Sequence, residues 1–284
     1  MIIFIDIDKF GVMKFGFFVK NKAVEQDIRY KDLEADLVKA GNEIYSIKDG
    51  EDLQSNTDMV LSVGGDGTFL SASKIVADSG VPILGVNMGR LGFLSENRPE
   101  DVLRPLLDGD YVVEDRALLR TCITGQPSRH IYWPYALNEV TVHRSGAAVV
   151  GINVSVDGNA LPTYWADGML VATASGSTAY SLSVGGPICM PDAKVLVIAP
   201  IAPHNLNVRP LVVPDTSNVK ISVEARDDTA IMTLDNRTLN ISASCILNIS
   251  MAQFSLKRIR LNKSSFVKAL TSKLFWGEDI RNNE

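Results

Sequence analysis

One carboxylate in the chain stands among glycines: Asp66, in Val60-Leu61-Ser62-Val63-Gly64-Gly65-Asp66-Gly67-Thr68. Four strand-forming residues run into a turn with three glycines, and Phe69 to Val76 continues as a helix, so the stretch reads strand, tight loop, helix. Such a loop offers backbone N–H groups and a helix N-terminus, both of which favour a phosphate. Unshielded by neighbouring side chains, Asp66 can accept a proton from an attacking hydroxyl, hold a metal ion, or hydrogen-bond a ribose diol. The plainer alternative is an N-cap for a helix beginning near Thr68. The loop lacks the lysine of G-x-x-x-x-G-K-[ST] and the spacing of G-x-G-x-x-G, so neither a Walker nucleotidase nor an ordinary Rossmann dehydrogenase fits.

Three other stretches carry groups suited to a ligand. Asn87-Met88-Gly89-Arg90-Leu91-Gly92-Phe93-Leu94 is a second glycine-punctuated loop, in which Asn87 and Phe93 can wall a base or ribose; a tight turn with Phe93 in the core is the alternative. Asn138-Glu139 interrupts the apolar strand expected from Ala136 to His143, and neighbouring strand residues point to opposite faces. Asp167 to Pro187 is the richest: a strand ending at Thr173, a turn dense in hydroxyls, then a short helix over Thr178 to Val184. Its hydroxyls and free N–H groups suit phosphate or ribose, and Tyr180 can stack or donate a hydrogen bond. His204 has no Ser, Cys or acid beside it with which to form a triad and reads as a loop residue. Leu234-Asp235-Asn236-Arg237 reads as a hairpin turn, and Cys122, Cys189 and Cys245 are too widely spaced for a zinc site or a disulfide framework.

The elements that must position these groups fall into two textures. Lys14 to Val19, a helix from Val24 to Ala40 closed by Gly41, Asn42 to Ile47, the strand before Gly64 and Val81 to Asn87 alternate strand with helix, which indicates a parallel sheet. In such sheets ligands lie at the carboxyl ends of the strands, where both glycine loops emerge. Pro99 to Leu107 makes a short helix. From about residue 111 to 261 strands follow one another, the pattern of a two-sheet antiparallel sandwich, and Ser264 to Trp276 returns to helix. The expected division is an α/β domain over residues 1–110, completed by a helix within 262–284, and an all-β domain over 111–261. Residues 1–12 are an additional edge strand or a start upstream of the working one.

With 284 residues and 46% hydrophobic content the chain can bury large cores. A net charge of −5 leaves no basic field for nucleic acid or an anionic membrane. No basic leader precedes the first apolar stretch and no apolar run approaches a membrane span. These features describe a cytoplasmic protein that acts on small molecules.

In this order and at these separations the motifs resemble NAD kinase, of the bacterial ATP-NAD kinase family, over nearly everything from Met13 onward. The Gly64 to Thr68 loop alone is shared with diacylglycerol-type lipid kinases and relatives of phosphofructokinase; the other three stretches make the resemblance specific. It implies a Rossmann-like α/β domain, a β-sandwich domain, and a C-terminal helix that packs back on the first. It also implies transfer of the ATP γ-phosphoryl group to the 2′-hydroxyl of the adenosine ribose of NAD, with a divalent cation, Mg²⁺, bridging the donor phosphates. In that reading Asp66 is the general base, and Gly65, Gly67, Asn87 and Phe93 border the nucleotide. Asn138, Glu139 and Asp167 bind dinucleotide hydroxyls or amide; Thr178, Ala179, Tyr180, Ser181 and Ser183 line the adenosine and phosphate region. Arg237 stands at a dinucleotide contact where the family often has glutamine. A homodimer or homotetramer is implied as well.

Two departures from the family pattern stand out. Its Thr-Pro-Thr-Gly-Ser-Thr-Ala-Tyr becomes Thr173-Ala174-Ser175-Gly176-Ser177-Thr178-Ala179-Tyr180, which loses a proline but keeps the hydroxyls and Gly176. Asn236 replaces a common glycine, and asparagine tolerates a left-handed turn. A lipid kinase and a non-catalytic NADP(H)-binding sensor are the rival readings.

Overall fold

The computed structural model describes residues 11–90, 92–125, 133–225 and 228–276. The expectation for residues 1–12 therefore lies almost wholly outside the described residues, as do Leu91 and everything after Trp276. The chain divides into two compact units, Met1–Asp115 with Leu256–Glu284, and Arg116–Ser255.

The first unit is built on a six-stranded sheet in the order Glu43–Ile47, Lys14–Val19, Met59–Val63, Ile83–Val86, Leu256–Leu261, Tyr111–Arg116. The first five of these pair in parallel. Met59–Val63 is buried at every residue, as a parallel strand covered on both faces must be. The helix Asp66–Val76 turns Phe69, Ala72, Ile75 and Val76 inward, and Ile28–Lys39 does the same with Tyr30, Leu33 and Leu37. The single helix expected from Val24 to Ala40 is broken in two. Asp27 accepts the Arg29 N–H and caps the second helix, leaving Ile28 66% exposed; a satisfied helix start outweighs one apolar position.

Tyr111–Arg116 and Leu256–Leu261, expected with the β domain, are hydrogen-bonded into this first sheet. Charge pairing explains their adjacency: Glu114 on one strand meets Arg258 at 3.1 Å and Arg260 at 2.6 Å on the other. The terminal helix, Phe266–Leu274, is capped by Ser265. It packs on the first unit as expected, with the Phe266 ring 6.0 Å from that of Phe93.

The second unit holds two antiparallel sheets. One runs Asn159–Ala160, Val150–Val156, Val219–Glu224, Ile246–Met251, Leu119–Thr124, Tyr135–Ala136, with Tyr164–Ala166 also on Val150–Val156; the other runs Leu211–Pro214, Val195–Ile201, Gly168–Thr173, Glu139–Arg144, Thr229–Leu234, Arg237–Ser242. Val140, Val142, Met169, Val171 and Ile198 share a core with Ile152, Val154, Ile221 and Leu247. Leu170, Ala172, Val197 and Ala199 form a second cluster on the other face, so Gly168–Thr173 is a continuous apolar run rather than an alternating one. The strand expected from Ala136 to His143 is interrupted: Tyr135–Ala136 belongs to one sheet and Glu139–Arg144 to the other, and the chain crosses between them at Leu137-Asn138. At the Asp235-Asn236 turn the left-handed φ, 53°, falls on Asp235 and not on Asn236.

Candidate active site

Asp66 is the first residue of its helix, behind Gly65 as N-cap, and no side chain caps that helix. The carboxylate turns instead to the loop that follows Ile83–Val86. Phe93 N–H donates to Oδ2 at 2.8 Å, and the Leu94 and Ser95 N–H groups donate to Oδ1 at 3.0 and 2.8 Å. A carboxylate has about four lone-pair sites, so these three bonds leave one, on Oδ2, for a substrate hydroxyl. Gly92 makes the approach possible: a Cβ there would lie 1.9 Å from Asp66 Oδ1. Asn87 is buried, donating to the Arg90 and Ser95 carbonyls and accepting from the Gly89 N–H. Its amide braces the loop from within. The Phe93 ring is half-buried with Lys273 Nζ 4.9 Å from its centre. Gly65 and Gly67 are exposed, with nothing within 4 Å of where a Cβ would sit, so no side chain crowds the helix start.

In the second unit, Asn138 and Glu139 are both buried. Asp235 accepts N–H groups from Leu137 at 2.9 Å, Asn138 at 2.7 Å and Glu139 at 3.3 Å, and returns its own N–H to the Glu139 carbonyl at 3.0 Å. The hairpin turn thus holds the crossing segment by its backbone. Glu139 Oε2 is buried without a hydrogen-bond partner. Burial, reinforced by the Asp235 charge and opposed by the Tyr180 main-chain N–H, pushes the Glu139 carboxyl up to about 8. It is therefore mostly neutral at pH 7. Burial also pushes Asp235 up, against the pull of its N–H donors and Arg237. Asp235 reads in the sequence as a turn residue only; no local signal marks its grip on residues 137–139.

The hydroxyl-rich turn is seated on the same segment. Thr173 Oγ1 donates to the Leu137 carbonyl at 2.6 Å and accepts the Gly176 N–H at 3.0 Å, while Thr173 N–H donates to the Asn138 carbonyl at 2.9 Å. A Cβ on Gly176 would meet the Asn138 oxygen at 2.1 Å. Instead of one helix over Thr178 to Val184, the chain forms a 3₁₀ turn at Ser175–Thr178 and an α-turn at Tyr180–Ser183. Thr178 and Ala179 are half-buried, while Tyr180 and Ser183 are exposed. Ser181, expected at the ligand, is fully buried, its Oγ within 2.2 Å of where a Gly186 Cβ would stand. The Tyr180 ring stacks on His143 at 6.0 Å. Burial holds His143 below the usual imidazole range, with Asp167 pulling the other way; Asp167 itself pairs with Arg144 at 2.7 Å. Arg237 donates to the Trp133 carbonyl at 2.5 Å and to that of Tyr135, so its guanidinium fastens the backbone of that segment.

The N-terminal domain model of the ATP-NAD kinases matches residues 15–111, and the C-terminal domain model matches residues 137–261. The chain is 42% identical over 236 residues to the NAD kinase of Flavobacterium psychrophilum, covering 82% of this chain and 80% of that one. It is 40% identical over 230 residues to the NAD kinase of Bacteroides fragilis, with 80% and 79% covered. Among solved structures, a yeast NADH kinase complexed with NADH superposes with a TM-score of 0.82 at 19% identity, covering 96% of this chain and 90% of that one. An NAD kinase from Archaeoglobus fulgidus in complex with ATP superposes with a TM-score of 0.74 at 28% identity, covering 88% and 95%. Both halves of the chain, in order and over most of its length, thus match one family, and the chain belongs to the ATP-NAD kinases.

Proposed function

We propose that the chain phosphorylates the 2′-hydroxyl of the adenosine ribose of NAD with ATP as donor, giving NADP and ADP. One observation carries the chemistry: the Asp66 carboxylate, fixed by three main-chain N–H groups, with one lone pair left on Oδ2. That lone pair accepts the proton as the 2′-oxygen attacks the γ-phosphorus; the bond from phosphorus to the β–γ bridging oxygen breaks, and ADP leaves. The uncrowded approach past Gly65 and Gly67 to a helix N-terminus suits donor phosphate oxygens. Asn138 and Glu139 hold dinucleotide hydroxyls or amide, the unpartnered Glu139 oxygen being the group that gains most from the contact. Asp167, Thr178, Ala179, Tyr180, Ser181 and Ser183 line the adenosine and phosphate region, Ser181 with a buried hydroxyl that has no hydrogen-bond partner.

Among the described residues no three His, Cys, Asp or Glu side chains gather as metal ligands. A divalent cation, Mg²⁺, would enter with ATP. Such an ion supplies neutralisation of the charge that develops on the transferred group. The same reading includes a homo-oligomer working in the cytoplasm; among the described residues no helix is long and apolar enough to cross a membrane.

The test is NADP formation from NAD, ATP and Mg²⁺, followed through an NADP-specific dehydrogenase, with Asp66→Asn in parallel. Loss of a general base should lower kcat by about 10²–10⁴-fold while NAD still binds. Undiminished turnover by Asp66→Asn would remove the base. Phosphorylation of diacylglycerol in place of NAD, or dinucleotide binding without turnover, would overturn the function.

A further inference from the structure

Asp66 is held by main-chain amides, and two of the peptide groups that hold it are gripped at their other end by cations from the C-terminal segment. The peptide joining Gly92 to Phe93 presents its N–H to Asp66 Oδ2 at 2.8 Å, and its carbonyl accepts from Lys273 Nζ. The next peptide, joining Phe93 to Leu94, presents its N–H to Oδ1 at 3.0 Å, and its carbonyl accepts from Arg258 Nη2 at 3.3 Å. In a planar trans peptide the C=O and N–H point opposite ways. Each of the two groups therefore lies with its dipole between a cation and the carboxylate, an arrangement that both charges favour and that strengthens each hydrogen bond by polarisation.

The cations are themselves well anchored. Arg258 is buried and bonded to Glu96 at 2.5 Å and Glu114 at 3.1 Å. Lys273 reaches from the terminal helix across the Phe93 ring, 4.9 Å from its centre. Burial pulls its ammonium below the usual lysine range, and the Arg258 charge adds to that, while the charges of Glu96 and Asp66 oppose it. We infer that Lys273 and Arg258 are positioning residues for Asp66, acting through the Gly92–Phe93 and Phe93–Leu94 peptides without touching substrate. This inference rests on the reading of Asp66 as the base.

The half-exposed Lys273 is the cleaner partner to change, since removing Arg258 would leave the buried Glu96 carboxylate without its ion-pair partner. Lys273→Met keeps the stem over Phe93 and removes the charge; Lys273→Arg keeps the charge. The expected result is a kcat for NADP formation about ten- to a hundredfold lower in Lys273→Met, with KM for NAD and for ATP within about threefold and most of kcat restored in Lys273→Arg. Amide hydrogen exchange, which needs no turnover, should be faster at Phe93 and Leu94 in Lys273→Met than in the unmodified chain. Unchanged exchange at Phe93, or unchanged kcat, would overturn the positioning role. Failure of the unmodified chain to make NADP would instead count against the function, while the exchange result still judges the clamp.

Discussion

Alanine at position 92 would test how closely the base is fitted to its loop. The added Cβ would stand 1.9 Å from Asp66 Oδ1, 2.3 Å from Cγ and 2.6 Å from Oδ2. Ordinary contact begins near 3.4 Å, so carboxylate and loop must part by about 1.5 Å. The backbone at Gly92 lies outside the left-handed region, so alanine adds no torsional strain and the steric effect stands alone. A separation of that size breaks at least one of the three N–H bonds to Asp66 and moves Oδ2 away from the position that reaches a ribose hydroxyl. Misplacing a reacting group by about 1 Å costs roughly 10²-fold, so kcat for NADP formation should fall by about a hundredfold or more. Loss of a hydrogen bond to a charged group costs about 1.5–3 kcal/mol, which for a chain of this size lowers Tm by a few degrees. The assay is the dehydrogenase-coupled rate at saturating NAD and ATP, with thermal unfolding on the same preparation. A Gly92→Ala protein whose kcat stays within about threefold of the unmodified chain would refute the reasoning.

Glu139, held near 8 by burial and the Asp235 charge, should impose a pH dependence on NAD binding. Ligand hydroxyls that donate to it favour the ionised form, so affinity should rise by up to about tenfold between pH 7 and pH 9 and then level. Glu139→Gln should be flat, Asp235→Asn should shift the rise to lower pH, and an equal slope in Glu139→Gln would assign it to another group. The same group predicts a stability trend. Its folded value lies above the ordinary 4.5, so the native state binds the extra proton between pH 4.5 and about 8, and the stability it contributes is lost as pH rises through that window. Arg237→Gln should lower Tm by a few degrees through loss of the bonds to the Trp133 and Tyr135 carbonyls, with KM for NAD within about twofold. A tenfold change in KM at unchanged Tm would place the guanidinium on the dinucleotide instead.

Much of this protein is legible in the chain because the forces that decide it are local. The strand at Met59–Val63, the glycine turn and the helix from Asp66 follow from apolar periodicity and from backbone freedom at glycine. The end of Gly168–Thr173 follows from short-range rules of the same kind. What the tertiary structure decided is the choice of partner over long separations. Asp66 has the makings of a cap, yet it bonds amides 27 to 29 residues away, because the loop reaches it at a helix start that lacks a side-chain cap of its own. Asp235 meets Asn138 across 97 residues, and Lys273 meets Gly92 across 181. The hydroxyl of Ser181 is indistinguishable by type from those of Thr178 and Ser183, and only the structure shows that Ser181 is buried while Ser183 is exposed. Leu256–Leu261 likewise has the pattern of any half-buried strand; the sheet it joins was chosen by Glu114 and Glu96 waiting for its arginines. Residue type and spacing determine what chemistry the chain can do, and the burial of distant charges and amides against one another determines which of those groups are held in place to do it.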